Sequence, residues 1–440
     1  MYSLLIPILV LIVAPTTATY GGEVIRADHS ETIRTSSGLL RLGWGGVSIV
    51  DSIRGISILA DSANIWISAD SARAISRARL SGNVVLKDVD RSVRSKALEY
   101  DPRNETAVFS GSVLVEEAGK VLSAGHVAYD RKTNSLASRE SVRLLYAESG
   151  LVVVADELGY TTGVDSGRAQ GNTRVARHSG GTDSLIVSSR WLWFRRGGDL
   201  LHFGGDVEVI KSNLTASADT AVYSETSGIL ELTGHPKAGW VENVERDTVE
   251  MSGDRLSLLF GERIAERVTL MGNTRIRMVS IRDSIQEEQN ITADTSVVDI
   301  DERFPVSMVS SGNVAGNLES DTGTLTELDG VSTQFAFRNG TLDSLLIQDG
   351  EVDYRTIDGE QVSRLSGARI LLSFRGGEIR NLLAEGGAKC EHTDDKIQTG
   401  EVRLTGDRVE LSFEKGELIR ASAYGGVRGS YERGTQEVVK

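Results

Sequence analysis

The chain has 440 residues, 40% apolar and 25% charged, which excludes wholesale disorder and exceeds what one compact core usually fills. A formal charge of −14 without a dense Lys/Arg run excludes a nucleic-acid partner and gives no electrostatic pull towards an anionic membrane. Forty-seven glycines, five prolines and 5% aromatics predict many turns and kinked strands around a core of Val, Leu, Ile and Ala.

In chain order, residues 1–18 predict a secretory signal. The apolar run Leu4–Val13 is followed by Pro15 and small residues, with a cut after Ala18, although no Lys or Arg precedes Arg26. The run is shorter than the roughly 20 residues of a membrane span, so an uncleaved anchor is the lesser expectation. WGGVSIV at 44–50 is the first glycine-marked strand. The clearest pair follows. LSGNVVLKDVDRSVRSKALEYD at 80–101 and FSGSVLVEEAGKVLSAGHVAYD at 109–130 carry their glycine and their Tyr-Asp pair 29 residues apart.

Alternation within these segments is period two, the signature of β-strand. One face of the first segment holds Leu80, Val84 and Leu86, matched by Phe109, Val113 and Val115 in the second. The following strands place Leu98 and Tyr100 opposite Val127 and Tyr129. Read back from Leu158, the same alternation adds Val154 and Val152 to this inward face. DPRNE at 101–105, EEAGK at 116–120 and DRKTN at 130–134 are short turn signals, so neighbouring strands are antiparallel and each unit is a hairpin.

Glycine-marked strands recur as AQGNTRV (169–175), FGGDVEV (203–209), LMGNTRIRM (270–278), SSGNVAG (310–316) and AEGGAKC (384–390), and SRESVRLLY (138–146) fills one slot with Glu140 for glycine. Spacing lengthens from about 30 residues towards about 40 in the second half. A mid-strand glycine marks a bulge or sharp bend. Hairpins that all bend alike predict an all-β fold: repeated antiparallel hairpins forming an elongated, bent β-jellyroll, an open trough, in one segment or two consecutive ones.

Four features invite chemistry. Asp156, Asp219, Asp254, Asp294 and Asp407 open second strands, and one aspartate per repeat reads as a rim residue satisfying a turn rather than as a glycosidase carboxylate. Cys390, the single cysteine, reads as a small strand residue rather than a nucleophile, and excludes an internal disulfide. The six histidines show no ligand spacing. WLWF at 191–194, apolar on both faces, predicts a strand buried between layers. No catalytic residue, metal or cofactor is expected.

The glycine-asparagine-valine strand start and the SKALEYDPRNETAVFSGSV hairpin resemble the OstA-like family of periplasmic lipopolysaccharide-transport proteins, which includes the soluble bridge component and the N-terminal domain of the outer-membrane assembly protein. The likeness is clearest over 80–178 within a first segment at 22–178, and looser copies run over 181–440. It implies a non-enzymatic periplasmic protein that shields lipopolysaccharide acyl chains inside a β-jellyroll and bridges the inner and outer membranes. It also implies edge-to-edge docking with itself or with membrane transport components. Leu80, Val84, Leu86, Leu98, Phe109, Val113, Val115, Val127, Val152, Val154 and Leu158 are then the lipid-lining candidates. The alternatives are a structural or adhesive surface β-repeat without lipid cargo, and a β-helix enzyme acting on polysaccharide.

Overall fold

The computed structural model describes all residues except 1–9, 13–15, 21, 70–73, 178–183, 244–246, 262–264, 283–284, 302–303, 321–322, 339, 357–360, 376–377, 395–399, 415–416 and 434–440. Among the described residues the chain is β-strand and turn, with three-residue 3-10 turns at Thr162–Val164 and Arg196–Gly198. Among the described residues no helix is long and apolar enough to cross a membrane. The expected leader lies largely outside the described residues, as do both ends of the expected boundary at 178–181. Two compact units emerge, Met1–Gly205 and Asp206–Lys440.

In the first unit, Ile75–Lys87, Arg91–Asp101, Thr106–Glu117, Lys120–Asp130, Ser135–Tyr146, Leu151–Thr161 and Ser166–Arg177 each pair antiparallel with the next. Asx turns close the hairpins as the Tyr-Asp motif predicts: Asp101 Oδ1 accepts from the Arg103 and Asn104 N–H groups, and Asp130 Oδ1 from those of Lys132 and Thr133. Strands between Ala265 and Glu414 are longer, such as Ala265–Arg282 with 18 residues and Ile285–Asp301 and Phe304–Ser320 with 17 each. That extra length is the lengthening seen in the spacing.

Several strands turn a corner at their glycine. Gly82 and Asn83 take φ of +76° and +45°, and the same paired left-handed step recurs at Gly111-Ser112, Gly171-Asn172, Gly272-Asn273 and Gly312-Asn313. Ser81 pairs with Ala97 but Val84 with Ser95, so the glycine strand spends one extra residue there, a β-bulge.

The inner rows run Leu80, Leu98, Phe109, Val127 on one side of the corner and Leu86, Val93, Val115, Leu122 on the other, and all eight are at most 3% exposed. A single flat sheet cannot bury one face that far. With no helix among the described residues to cover it, the cover is the sheet's own other half, bent over at the corner. Fully burying each Leu or Val contributes about 1.5–3 kcal/mol, so these rows are the core.

Candidate functional site

The corners are fixed from the neighbouring strand. Asn83 Nδ2 donates to Asp61 Oδ2 (3.0 Å), Asn172 to Asp156 (2.9 Å), Asn273 to Asp254 (3.0 Å) and Asn313 to Asp294 (2.9 Å). His235 faces Asp219 in the same way at 3.2 Å, and the Asp407 N–H donates to the Gly425 carbonyl at 2.8 Å. These aspartates therefore sit at the corner, not at the rim as expected. The carboxylates of Asp61, Asp156, Asp254 and Asp294 accept from the asparagine that follows the bulge glycine, which is a structural role. The exception at Glu140 is matched across the ladder: Glu140 and Ser141 take φ of +68° and +55°, and the facing residue is Gly125, whose added Cβ would fall 2.5 Å from the Glu140 carboxylate.

The structure places nine of the eleven lining candidates on the inner face: Leu80, Val84, Leu86, Leu98, Phe109, Val113, Val115, Val127 and Leu158 are buried. Val152 and Val154 are not; they stand on the outer face, and Leu151 and Val153 take the inner positions. The reason is the corner. Between Val154 and Glu157 the register slips by one, so alternation read back from Leu158 changes phase there.

Along the open side of the first unit, strand ends from the two halves meet through side chains. Glu23 Oε2 accepts from the Ile75 N–H (3.1 Å), and Arg131 Nη2 donates to the Arg54 carbonyl (3.1 Å). The Arg91 guanidinium lies 4.4 Å over the Tyr129 ring. Lys120 Nζ donates to Asp165 Oδ1 (2.9 Å), which also accepts from the Tyr160 (2.5 Å) and Tyr146 (3.2 Å) hydroxyls. Burial works to raise the Asp165 pKa, but these donors and the Lys120 charge outweigh it and hold the carboxyl below its usual range. Burial first, then the Asp165 contacts, push both phenols up. Burial also raises Glu23, against the N–H of Ile75 and Arg54. We call this row the clasp. In the second unit, aromatic contacts span the lips: Tyr354 and Phe413 rings stand 4.8 Å apart, and Lys211 Nζ is 5.4 Å from the Phe260 ring. Burial pushes the Tyr354 phenol up to about 12.

Sequence reasoning missed the clasp and a set of buried corner hydroxyls. Thr274 Oγ1 donates to the Ala293 carbonyl (2.9 Å), and the Thr274, Ser296 and Ser310 hydroxyls follow one another at 3.1 and 2.9 Å. Threonine directly after Gly-Asn at 173 and 274 is the available signal.

Outside, WLWF is not between layers. Leu192 and Phe194 are buried, but Trp191 is 38% exposed, and Trp193 lies against His202 (5.0 Å) and the Arg195 guanidinium (4.5 Å). A strand facing its own folded-over half covers one face only. Cys390 is on the inner face, where burial pushes its thiol up to about 12. Among the described residues no group of His, Cys, Asp or Glu could hold a metal ion. Charge divides unevenly: the first unit has 23 Lys/Arg and 21 Asp/Glu, the second 25 and 41, so the acidity belongs to the second.

No protein-family model matches the chain, and no curated protein matches it. Among solved structures it is similar to LptH of Pseudomonas aeruginosa, described as the LptA-homologous periplasmic component of the conserved lipopolysaccharide transport device. Identity is 13%, over 33% of this chain and 82% of that one, with a TM-score of 0.19.

Proposed function

We propose that the chain is an exported, periplasmic, non-enzymatic carrier that shields the acyl chains of lipopolysaccharide or a related glycolipid inside its bent β-fold, on a path between the inner and outer membranes. The observation that carries this reading is the aliphatic inner face of the first unit, continuous from strand to strand on both sides of the corner and closed by side-chain contacts at the lips. Each acyl methylene moved into such a surface contributes about 0.8 kcal/mol, enough for a chain of a dozen carbons to bind without head-group attraction. The charge balance fits, since neither unit offers a net positive surface of consequence to an anionic head group. Among the described residues Glu417–Tyr424 pairs only with Gly400–Glu414, leaving an edge on which another strand could add, with this chain or a membrane transport component as partner.

The test is lipid analysis of the protein purified from a Gram-negative periplasm. A co-purifying acylated glycolipid is expected. Protein free of glycolipid, with normal surface lipopolysaccharide after deletion of the chain, would overturn the reading. The competing reading, a structural β-repeat without cargo, is favoured by the completeness of inner packing, since Phe109, Val127 and Phe194 are fully buried by their own neighbours.

A further inference from the structure

The WLWF strand, covered on one face only, borders a groove on the outside of the first unit. The groove holds about 570 Å³, inside the range of about 300–1,000 Å³ usual for ligand clefts. Small residues make its floor: Ala128 pairs with Ala137 and Ala137 with Gly159, outer positions on adjoining strands. A Cβ added at Gly159 would meet nothing within 4 Å, so the space above the floor is open. The same ladder row continues to Val108 at one end, and to Arg168 and then Trp193 at the other.

A second row beside it supplies polar groups. His126 is followed, strand by strand, by Arg139, Glu157, Gln170 and Trp191. Gln170 Nε2 donates to Glu157 Oε2 (2.8 Å), and the His126 ring nitrogen lies 3.7 Å from the Glu140 carboxylate. Arg139 and Arg168 are exposed and enter no ion pair among the described residues, so their guanidinium donors are free for a ligand. At the end of the row Trp191 rests on the next strand. Its six-membered ring fills the space that a Cβ at Gly204 would need, which covers one side of the indole and leaves the residue 38% exposed.

These groups match one ligand chemistry. An indole face open to water takes the apolar C–H face of a pyranose ring, through dispersion and the burial of apolar area. Planar guanidinium groups donate two parallel hydrogen bonds and so suit vicinal hydroxyls, while the Gln170 and Glu157 oxygens accept from others. Arg139 and Arg168 are balanced by Glu140 and Glu157, so the groove favours neither anions nor cations. Neighbouring strands stand about 4.8 Å apart, close to the advance of one sugar in an extended β-1,4-linked chain. A glycan laid across the strands therefore meets a new side chain at each sugar.

We propose that this groove binds an extended, uncharged β-1,4-linked oligosaccharide. One sugar stacks on Trp191, and the following ones cross Gly159, Ala137 and Ala128 towards Val108. The site lies on the outside of the wall and is independent of any lipid held within.

The test titrates the full chain calorimetrically with cellohexaose, chitohexaose and maltohexaose, the last having α-linkages that coil the chain away from a straight floor. At least one β-linked hexasaccharide binds the wild type, and maltohexaose binds at least about tenfold more weakly. Gly159→Gln, which puts a side chain into the open space over the floor, keeps the wild-type circular dichroism and weakens binding at least about tenfold. Trp191→Ala weakens it by a similar factor, whereas Trp66→Ala, three strands beyond Val108, leaves it unchanged. Failure of both β-linked chains to bind overturns the site. So does full affinity in Gly159→Gln, which would place the saccharide elsewhere. Maltohexaose bound as tightly as the β-linked chains overturns the extended-chain assignment.

Discussion

A corner residue is judged by what faces it. Gly171 has φ of +74°, and an added Cβ would come within 2.5 Å of the Asp156 carboxylate and 2.9 Å of its Cβ. Gly159, on the outer face of the adjoining strand, has an ordinary φ and nothing within 4 Å of that position. Gly171→Ala should therefore cost at least about 1–2 kcal/mol, and Gly159→Ala less than about 0.5 kcal/mol, in chemical denaturation of the first unit. Similar losses would show that the corner is not strained. Titration of the clasp has a defined sign. Asp165 is held below its ordinary 3.8, so its contribution is present above that value and lost as pH falls through the lower folded one. Tyr146 and Tyr160 are raised above 10.0, so theirs is present below pH 10 and lost as pH climbs towards the folded values. Glu23, raised above 4.5, opposes the acid limb: its burial is best tolerated when protonated, and stability declines as pH rises through its folded value. The denaturation midpoint of the first unit should fall as pH drops below about 4 and as it climbs above about 10, with a shallower decline from Glu23 beginning above pH 4.5, and Asp165→Asn should flatten the acid side. An acid limb unchanged by Asp165→Asn would assign it to other carboxylates. Of these residues, only the glycines and the Tyr-Asp turns are legible in the sequence. The aspartates are visible too, but their partner is the asparagine of the next strand, so they read as rim residues until the ladder is known.

Strands and their lips are legible unequally. Alternation and turn chemistry locate the strands from Ile75 to Arg177, because period two and Asx signals are local. The phase slip is not local. A bulged strand advertises itself by glycine, but its partner loses one position without any marker of its own, and for that reason Val152 and Val154 read as inner residues. The clasp is less legible still, since Glu23 and Ile75 are 52 positions apart and Arg131 and Arg54 are 77 apart, with no spacing rule linking them. If lipid enters the first unit from the side, the lips must part. Lys120→Cys with Asp165→Cys, joined by a short bismaleimide, should then keep the circular dichroism of the wild type and lose at least about tenfold in acyl-probe loading, while either single cysteine variant loads normally. The buried thiol of Cys390 stays out of the reaction in folded protein. Full loading of the crosslinked chain would show that lipid enters without parting these lips.

Across the whole chain, charge divides unevenly between the two units. An excess of 41 acids over 25 bases in the second unit is self-repulsive, and the first unit, at 21 against 23, is nearly balanced. Screening lengths shrink from about 30 Å to under 10 Å as salt rises from about 10 mM to a few hundred millimolar. Repulsion spread over the outer face of the second unit is weakened by that change, and so are the partly exposed pairs of the first, among them Lys120 with Asp165. Salt should therefore raise the melting point of the second unit by about 2–4 °C for each kilocalorie of relieved repulsion, and leave that of the first unchanged or slightly lower. Hydrogen exchange followed separately over residues 23–205 and 206–430 during a thermal ramp distinguishes the two. A shift of equal size in both would mean that the acidic excess is already neutralised within the second unit by its own ion pairs, such as Arg364 with Asp353 at 2.7 Å and Arg277 with Glu288 at 2.9 Å.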